Sequence, residues 1–368
     1  MENLDINSLL ALYKGKKVLV TGHTGFKGSW MSIWLHDLGA QVVGVALDPK
    51  TEKDNFNLAQ LSNLVKDIRL DIRDKEALFN VFEDEKPQIV FHLAAQPLVL
   101  DSYDDPLDTF ETNTLGTANI LEAIRKSASV ETALMITTDK VYHNEEWVWP
   151  YKEEDRLGGY DPYSASKGAS EIVIASYRNS FFNPKNIDQH HKSIASVRAG
   201  NVIGGGDWSD NRIIPDCIKS LENNEPIEVR SPLSVRPWQH VLEPIFGYIM
   251  LGALMQKDPV AYADAWNFGP EADNVVTVET LVSLLIEKYE SGQWIDKSDR
   301  NAPHEAKLLA LDINKAKFKL GWKPALNIEE TIEFTVDWYK KYRDSDVLQL
   351  CKDQIQAYYN LWKSKNAK

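Results

Sequence analysis

The sequence has few of the residues that build disulfide or metal sites. Its 368 residues include only two cysteines, Cys217 and Cys351, with no CxxC spacing and no histidine pattern near them. Neither a zinc site nor a disulfide framework is indicated, so no metal is expected. So little cysteine fits a reducing compartment, and we expect a cytoplasmic protein.

Basic clusters are scarce and long apolar runs are lacking. The formal net charge is -13, so the surface does not offer the basic stripe that nucleic-acid binding requires. The longest apolar run, IFGYIMLGALM, has about half of the ~20 residues that a membrane span needs. We therefore expect no nucleic-acid partner and no membrane, and an anionic ligand must find local positive charge.

What the sequence does contain is an alternation of strand-length apolar runs with helix-length amphipathic segments, typical of a parallel sheet covered by helices. Strands are predicted in KVLVTG, QVVGVALD, IRLDIRD, PQIVFHLAA, ALMITTDKVY and SIASVRAGNVIG. The predicted fold class is α/β, a Rossmann-type doubly wound parallel sheet with a smaller mixed α/β substrate-binding domain. We expect residues 1–198 and about 239–270 in the dinucleotide-binding domain, and about 199–238 and 271–368 in the substrate domain.

A glycine-rich loop, TGHTGFKG, follows the first predicted strand. Gly22 permits a tight turn, Gly25 lets the backbone approach a pyrophosphate, and Gly28 allows helix and strand to pack closely. Thr24 and Phe26 belong to the same predicted coenzyme loop. Asp48 lies twenty residues beyond Gly28, where its carboxylate can accept hydrogen bonds from an adenosine ribose and repel a 2'-phosphate. The predicted cofactor is therefore NAD, although such glycines also occur in ordinary turns.

Two further segments are predicted to line the coenzyme pocket. Asp71 and Ile72, at the end of the third predicted strand, are placed beside the adenine. The small residues Leu93, Ala94 and Ala95 end the fourth strand and leave room for the coenzyme backbone. A plain strand-end acid and ordinary helix packing remain the alternatives.

A tyrosine and a lysine supply candidate chemistry. Tyr163 and Lys167 are four residues apart in YSASK, so on a helix they share one face. A phenol has a pKa near 10, which a neighbouring ammonium lowers. Tyr163 is thus a candidate base for oxidising an alcohol, with Lys167 as the cation beside it, and both are expected to contact the coenzyme. His92, inside an apolar strand, is interpreted as a core residue.

Taken together, TGHTGFKG, Asp48, HLAAQ, the Tyr-Lys pair and RAGNVIGGGDW resemble the extended short-chain dehydrogenase/reductases that modify nucleotide sugars, over almost the whole chain. TTDKVY, the segment from WVWPYK to KGASE and RPWQHVLEP narrow the resemblance to 4,6-dehydratases. The resemblance implies oxidation at the sugar C4 by bound NAD, loss of water across C5 and C6, and hydride return to C6. It also favours CDP-glucose as the substrate.

The resemblance gives roles to three neighbouring residues. Thr138 is expected to hydrogen-bond the C4 oxygen, and Asp139 to protonate the departing C6 hydroxyl if burial raises its pKa. Lys140 stands where most related dehydratases carry an acid. It is either the C5 base, which requires a lowered pKa from burial or from Lys167, or a cation that stabilises the enolate.

The substrate diphosphate needs fixed cations in an acidic protein. The resemblance carries Asn201, Arg212 and Arg236 to this role, and guanidinium forks match phosphate oxygens. Ser102 is expected to reach the hexose. The partner is thus a small nucleotide sugar, and a homodimer is expected through helices within 107–127 and 161–182. The alternative is that the apolar stripes of these segments face the sheet.

Three alternatives stay open. A nucleotide-sugar 4-epimerase also oxidises C4 but needs no acid-base pair for C5 and C6, and a dehydratase of this kind can act on another nucleotide sugar. A scaffold protein that has lost the chemistry keeps the glycines but loses Tyr163 or Lys167, whereas this chain has both.

Overall fold

The apolar runs of the sequence form short strands. The computed structural model describes residues 5–271, 274–298 and 309–366. Its strands are β1 Lys17–Thr21, β2 Gln41–Ala46, β3 Lys66–Arg69, β4 Ile89–His92, β5 Thr132–Ile136, β6 Ser193–Ala199, β7 Val202–Ile203, β8 Ile227–Val229, β9 Val235–Pro237, β10 Gln239–His240, β11 Ala265–Phe268, β12 Val275–Thr277 and β13 Trp294–Asp296.

Amphipathic and apolar segments form the helices between these strands. They are α1 Ile6–Leu10, α2 Phe26–Asp37, α3 Asn55–Leu58, α4 Lys75–Glu85, α5 Val99–Asp104, α6 Pro106–Phe110, α7 Gly116–Lys126, α8 Pro162–Ser180, α9 Ile187–His190, α10 Ile213–Glu222, α11 Leu242–Lys257, α12 Val278–Tyr289, α13 Ile328–Lys341 and α14 Val347–Asn366.

The central sheet has seven strands in the order β11-β6-β5-β4-β1-β2-β3, and all its pairs are parallel. Side chains alternate across it: Val18 and Val20 face a core built with α2 and α11, while Leu19 faces one built with α4, α7 and α8. Burial on both faces explains why these strands are continuous apolar runs. The predicted doubly wound α/β class is confirmed. The proposed division into two domains stays a prediction.

Two strands are shorter than the sequence pattern predicts. β3 ends at Arg69, because Asp71 turns the chain: its carboxylate accepts the Arg73 N–H at 2.9 Å, and Asp74 then caps α4. β5 ends at Ile136, and Asp139–Val141 form a 3₁₀ turn. Asp71 and Asp139 therefore lie beyond the strands rather than at their last positions.

Two helical segments were indicated by the sequence and are present in the structure. The helical segment expected within 107–127 consists of α6, a π-helical turn at Glu111–Leu115, and α7. α8 begins at Pro162, with Asp161 accepting the Ser164 N–H at its start, the usual acid and proline preference at a helix N-terminus.

The apolar run in α11 is a core helix. Its residues from Leu242 to Met255 are buried, and Tyr13 donates its hydroxyl hydrogen to the Ile249 carbonyl at 2.8 Å. Within the part of the chain that the structure describes, no helix is both long and apolar enough to cross a membrane.

Candidate functional site

The glycine loop joins β1 to α2 at the carboxyl edge of the sheet. Gly22 has φ +74°, and a Cβ there would lie 2.8 Å from the Ala94 nitrogen. A Cβ on Gly28 would lie 2.0 Å from the Gly22 carbonyl oxygen. A side chain at Gly22 would push the loop away from the end of β4, and one at Gly28 would push α2 away from the loop, which is the structural reason for the first and third glycines.

Gly25 is different, because the space beside it is open. A Cβ there would meet only the Gly22 carbonyl oxygen, at 3.4 Å, and Gly25 is the residue before the first turn of α2. The free N–H groups of this turn carry the positive end of the helix dipole. Thr24 fastens the loop by donating to the Leu47 carbonyl at 3.0 Å. The loop therefore fits the pyrophosphate of a dinucleotide.

The last residue of β1, Thr21, holds the chain at the end of β4. Thr21 Oγ1 accepts the backbone N–H groups of Leu93 and Ala94, both at 3.1 Å. The same hydroxyl contacts His92 Nδ1 at 2.8 Å, while His92 Nε2 contacts the Thr117 hydroxyl at 3.1 Å. Burial lowers the pKa of His92 to about 3, so this histidine is neutral and has partners at both nitrogens, as interpreted from the sequence.

The residues predicted for the adenosine lie further along the same edge. The Asp48 side chain is 87% exposed and 3.6 Å from Arg69 Nε. Arg73 engages both carboxylate oxygens of Asp71, at 2.6 to 3.0 Å, and holds the pKa of Asp71 below its usual value. Ile72 is buried against Gly116. A coenzyme adenine that contacts the Asp71 carboxylate would therefore do so while Arg73 remains hydrogen-bonded to the same carboxylate.

Tyr163 lies at the start of α8 and faces the turn after β5. Burial raises the pKa of the Tyr163 phenol, while the Lys140 ammonium and the neighbouring Thr138 hydroxyl lower it. Lys167 instead donates to the Ile136 carbonyl at 3.1 Å, and burial lowers the pKa of Lys167 to about 8. The cations that act on Tyr163 in this structure are therefore Lys140 and, more weakly, Arg212, whereas the sequence spacing indicated Lys167.

Asp139 and Lys140 form an ion pair beside this tyrosine. Lys140 Nζ lies 3.6 Å from Asp139 Oδ1, and the Asp139 side chain is 2% exposed. Thr138 donates its hydroxyl hydrogen to Asp139 at 2.9 Å. The Asp139 carboxylate raises the pKa of Lys140 and outweighs the opposing effect of burial. This direction is opposite to the lowered pKa that a basic Lys140 requires.

Gly200 is a site residue that the sequence analysis missed. A Cβ at Gly200 would lie 2.3 Å from Asp139 Oδ2, so only glycine leaves the carboxylate its place. The available signal was the small residue directly after β6, at the carboxyl edge where the other site residues gather.

We predict that Gly200→Ala lowers kcat about 10- to 100-fold, because a displacement of about 1 Å at a reacting group is enough for such a loss. Substrate KM should change much less. The matched control is Gly269→Ala, whose Cβ would meet its neighbours at 3.5 Å or more. Steady-state kinetics of both variants tests this, and an unchanged kcat in Gly200→Ala would mean that the Asp139 position is unimportant.

Cations gather around this turn although the protein is acidic. Arg212 acts electrostatically on both Tyr163 and Lys27, and Arg236 acts on Lys140. Arg212 Nη1 also lies 3.0 Å from Asp207. Lys27, inside the glycine loop, was another missed residue; burial lowers its pKa to about 8. The local positive charge that an anionic substrate needs is thus present.

The remaining predicted substrate residues are placed differently from one another. Asn201 lies just after β6, at the start of the segment that leads to Arg212. Its backbone carbonyl accepts the Gln239 N–H at 3.2 Å. Ser102 is fully buried. Its hydroxyl donates to the Val99 carbonyl at 2.6 Å and accepts the Tyr163 N–H at 3.2 Å. This geometry favours support of Tyr163 by Ser102 over the predicted contact with the hexose.

The parallel sheet, the glycine loop and the tyrosine-centred site define a dinucleotide-binding protein equipped for proton transfer. The chain belongs to the GDP-mannose 4,6 dehydratase family, whose profile matches residues 19–335. It is 47% identical to a CDP-glucose 4,6-dehydratase of Salmonella typhimurium over 94% of this chain and 97% of that protein. A dTDP-glucose 4,6-dehydratase of Xanthomonas campestris is 28% identical over 87% of this chain and 92% of its own.

Solved structures share the fold. A dTDP-glucose 4,6-dehydratase from Streptomyces venezuelae, determined with NAD bound, has a TM-score of 0.75 at 22% identity and covers 89% of this chain and 98% of its own. A UDP-glucose 4-epimerase from Thermotoga maritima has a TM-score of 0.74 at 24% identity, with coverage of 89% and 100%. At these identities the likeness concerns architecture, which dehydratases and epimerases share.

Proposed function

We propose that this protein is an NAD-dependent CDP-glucose 4,6-dehydratase, a lyase that converts CDP-D-glucose to CDP-4-keto-6-deoxy-D-glucose. The observation that carries this function is the Asp139–Lys140 ion pair held beside Tyr163. An acid and a cation next to the tyrosine suit an elimination, which an epimerase does not perform. The 47% identity to the Salmonella enzyme over nearly the whole chain supports the same assignment.

The first task of the site is to activate the sugar C4 hydroxyl. NAD, when bound, supplies the electron-pair acceptor for oxidation at C4 and returns the electrons at C6. Tyr163 removes the C4 hydroxyl proton, and Thr138 orients the same oxygen. The resulting 4-ketone acidifies the C5 proton, so a transient oxidation makes an otherwise slow elimination feasible.

The second task is loss of water across C5 and C6. The Asp139 carboxylate accepts the C5 proton and passes it to the departing C6 hydroxyl, which leaves as water while the C5–C6 double bond forms. Lys140, kept protonated by Asp139, stabilises the negative charge that develops on the C4 oxygen when the C5 proton is removed. This is the cation role of the two that the sequence leaves open.

The residues proposed to bind the coenzyme lie between Gly22 and Lys167, and those proposed to bind the substrate diphosphate lie between Asn201 and Arg236. Those proposed to hold the coenzyme are Gly22, Thr24, Gly25, Phe26, Gly28, Asp48, Asp71, Ile72, Leu93, Ala94, Ala95, Tyr163 and Lys167. The substrate diphosphate is proposed to lie between Arg212 and Arg236, with Asn201 nearby, in the substrate domain. This placement is supported because Arg212 acts electrostatically on Tyr163 and Lys27, and Arg236 acts on Lys140.

A panel of nucleotide sugars tests the function. The purified protein is incubated with CDP-glucose and with the dTDP-, UDP- and GDP-linked hexoses, with catalytic NAD and without a reductant. We expect a keto sugar from CDP-glucose. Keto sugar from dTDP-glucose alone would refute the substrate and leave the reaction type intact, whereas a C4 epimer without a keto product would refute dehydration.

We also propose a homodimer formed through α6 to α8. Leu107, Leu115 and Ile172 on these helices are 74%, 58% and 61% exposed, and α8 packs against both α6 and α7. A second copy of this face would cover these side chains in a helix bundle. This is the face that the family resemblance indicated.

Ile172→Glu should convert the dimer to a monomer, because it places a charge in the apolar contact. Sedimentation equilibrium measures the mass. Leu233→Glu, at a residue that is 73% exposed away from these helices, is the control and should remain dimeric. A wild-type protein that sediments as a monomer would contradict the proposal.

A further inference from the structure

An arginine at the end of β3 stands next to the acid predicted to bind the coenzyme ribose. Arg69 Nε lies 3.6 Å from Asp48 Oδ1. β3 is the strand beside β2, so Arg69 and Asp48 meet at the carboxyl edge where the adenosine half of a dinucleotide binds.

The guanidinium of Arg69 is fixed by partners other than Asp48. Nη1 donates to the Leu47 carbonyl at 3.0 Å, and Nη2 donates to Asp67 Oδ2 at 2.8 Å. The group also lies over the Phe56 ring, 4.9 Å from its centroid. Its orientation therefore does not depend on Asp48.

Asp67, which holds Arg69, also contacts the glycine loop. Asp67 Oδ1 is 2.8 Å from His23 Nε2, and the His23 ring occupies the space that a Cβ on Gly44 would need. Because Asp67 is engaged on both oxygens, Arg69 is held in one place relative to the loop that binds the pyrophosphate.

Arg69 has hydrogen-bond donors left over. A guanidinium carries five N–H groups, and the two hydrogen bonds to Leu47 and Asp67 use two of them. Nε–H and one N–H on each terminal nitrogen remain, and the side chain is 34% exposed. These donors suit phosphate oxygens.

We propose that Arg69 and Asp48 form a coenzyme-selectivity pair, in which Arg69 is a latent binding site for the 2'-phosphate of NADP and the Asp48 carboxylate keeps that site closed. With NAD, Asp48 accepts hydrogen bonds from the ribose hydroxyls, and Arg69 holds the carboxylate at this edge. With NADP, the negative charges of Asp48 and Asp67 would repel the 2'-phosphate, and only the positive charge of Arg69 would attract it. Removing the Asp48 charge alone leaves the arginine in place for the phosphate.

The inference rests on NAD binding in the proposed function, and the experiment separates the two. Coenzyme-free protein is titrated with NAD and with NADP by isothermal calorimetry, for the wild type and for Asp48→Ser. We expect the wild type to prefer NAD. In Asp48→Ser, the ratio of the NADP to the NAD dissociation constant should fall about 100-fold or more, because one repulsion is lost and charged hydrogen bonds to the phosphate are gained.

The role of Arg69 is tested by a second substitution. Asp48→Ser/Arg69→Met should lose about 10- to 100-fold in NADP affinity relative to Asp48→Ser, with little change for NAD. Asp48→Ser/Arg69→Lys should be intermediate, because it keeps the charge without the fork. Asp48→Ser/Arg125→Met, which removes a distant arginine paired with Glu122, is the control and should match Asp48→Ser.

The outcomes distinguish the claims. If the wild type binds no NAD, the proposed function fails and the inference with it. If the wild type binds NAD but Asp48→Ser gains no NADP affinity, only the inference is overturned. A gain that survives Arg69→Met would likewise overturn the role of Arg69.

Discussion

Replacing Tyr163 by phenylalanine should lower kcat for CDP-glucose by about 10³- to 10⁴-fold, close to the upper range for removal of a general acid–base group. The substitution removes only the phenol hydroxyl, whose pKa the neighbouring Thr138 and Lys140 side chains affect. The ring remains packed and the Ser102 bond goes to the backbone of residue 163, so the fold should be unaffected. Nucleotide-sugar affinity should stay within a few-fold of the wild type.

Single-turnover kinetics separates the affected step. Because Tyr163 acts on the C4 hydroxyl, neither reduced coenzyme nor keto product should accumulate in Tyr163→Phe. Tyr177→Phe, on the same helix, is the control and should turn over normally. Turnover of Tyr163→Phe within tenfold of the wild type would show that another group accepts the C4 proton.

Lys140→Ala should lower kcat by about 10²- to 10³-fold, the range seen when one group that stabilises a developing oxyanion is removed. The expected block comes after oxidation at C4. Reduced coenzyme should therefore form in a single turnover and persist, while the keto-deoxy product is delayed. Immediate loss of the first step as well would indicate that Lys140 acts mainly by lowering the pKa of Tyr163.

The protonation state of Lys140 decides between its two roles. Its pKa is raised by Asp139 above an ordinary value near 10.4, so the neutral fraction at pH 8 is below about one in 200. A base would gain activity as pH rises through this pKa, whereas a cation would lose it. We expect the loss, and Lys140→Arg, which stays charged, should retain more activity than Lys140→Ala.

Solvent-deuterium exchange at C5 tests the base role directly. Under our account, Lys140→Ala exchanges the C5 proton more slowly but in proportion to the loss of enolate stabilisation, and Lys140→Arg restores part of the rate. Exchange at the wild-type rate in Lys140→Ala would remove Lys140 from this step altogether. Abolished exchange in both variants would identify Lys140 as the base.

Much of the fold could be predicted because its signals are local. The run KVLVT must be buried on both faces, and Gly22 and Gly28 after it are required by contacts of 2.8 and 2.0 Å that any Cβ would make. Strand ends were harder. IRLDIRD alternates like a strand, yet the side chain of Asp71 turns the chain after β3, a competition between side chain and backbone that periodicity does not register.

The sequence indicated candidate residues for the site, but it did not indicate which partners their side chains contact in the structure. Spacing on a helix put Lys167 beside Tyr163, whereas the Lys167 ammonium bonds to the β5 carbonyl at Ile136 and Lys140 acts on the phenol from another element. Gly200 and Arg69 matter through partners 61 and 21 positions away in the chain, which only the packed sheet brings together.

The central claim is that electrons removed from C4 return to the same sugar at C6. CDP-glucose labelled with deuterium at C4 should give CDP-4-keto-6-deoxyglucose with the label in the C6 methyl group, while catalytic NAD is not consumed. Mass spectrometry and NMR of the product locate the label. Unlabelled product formed with one equivalent of reduced coenzyme would contradict the account.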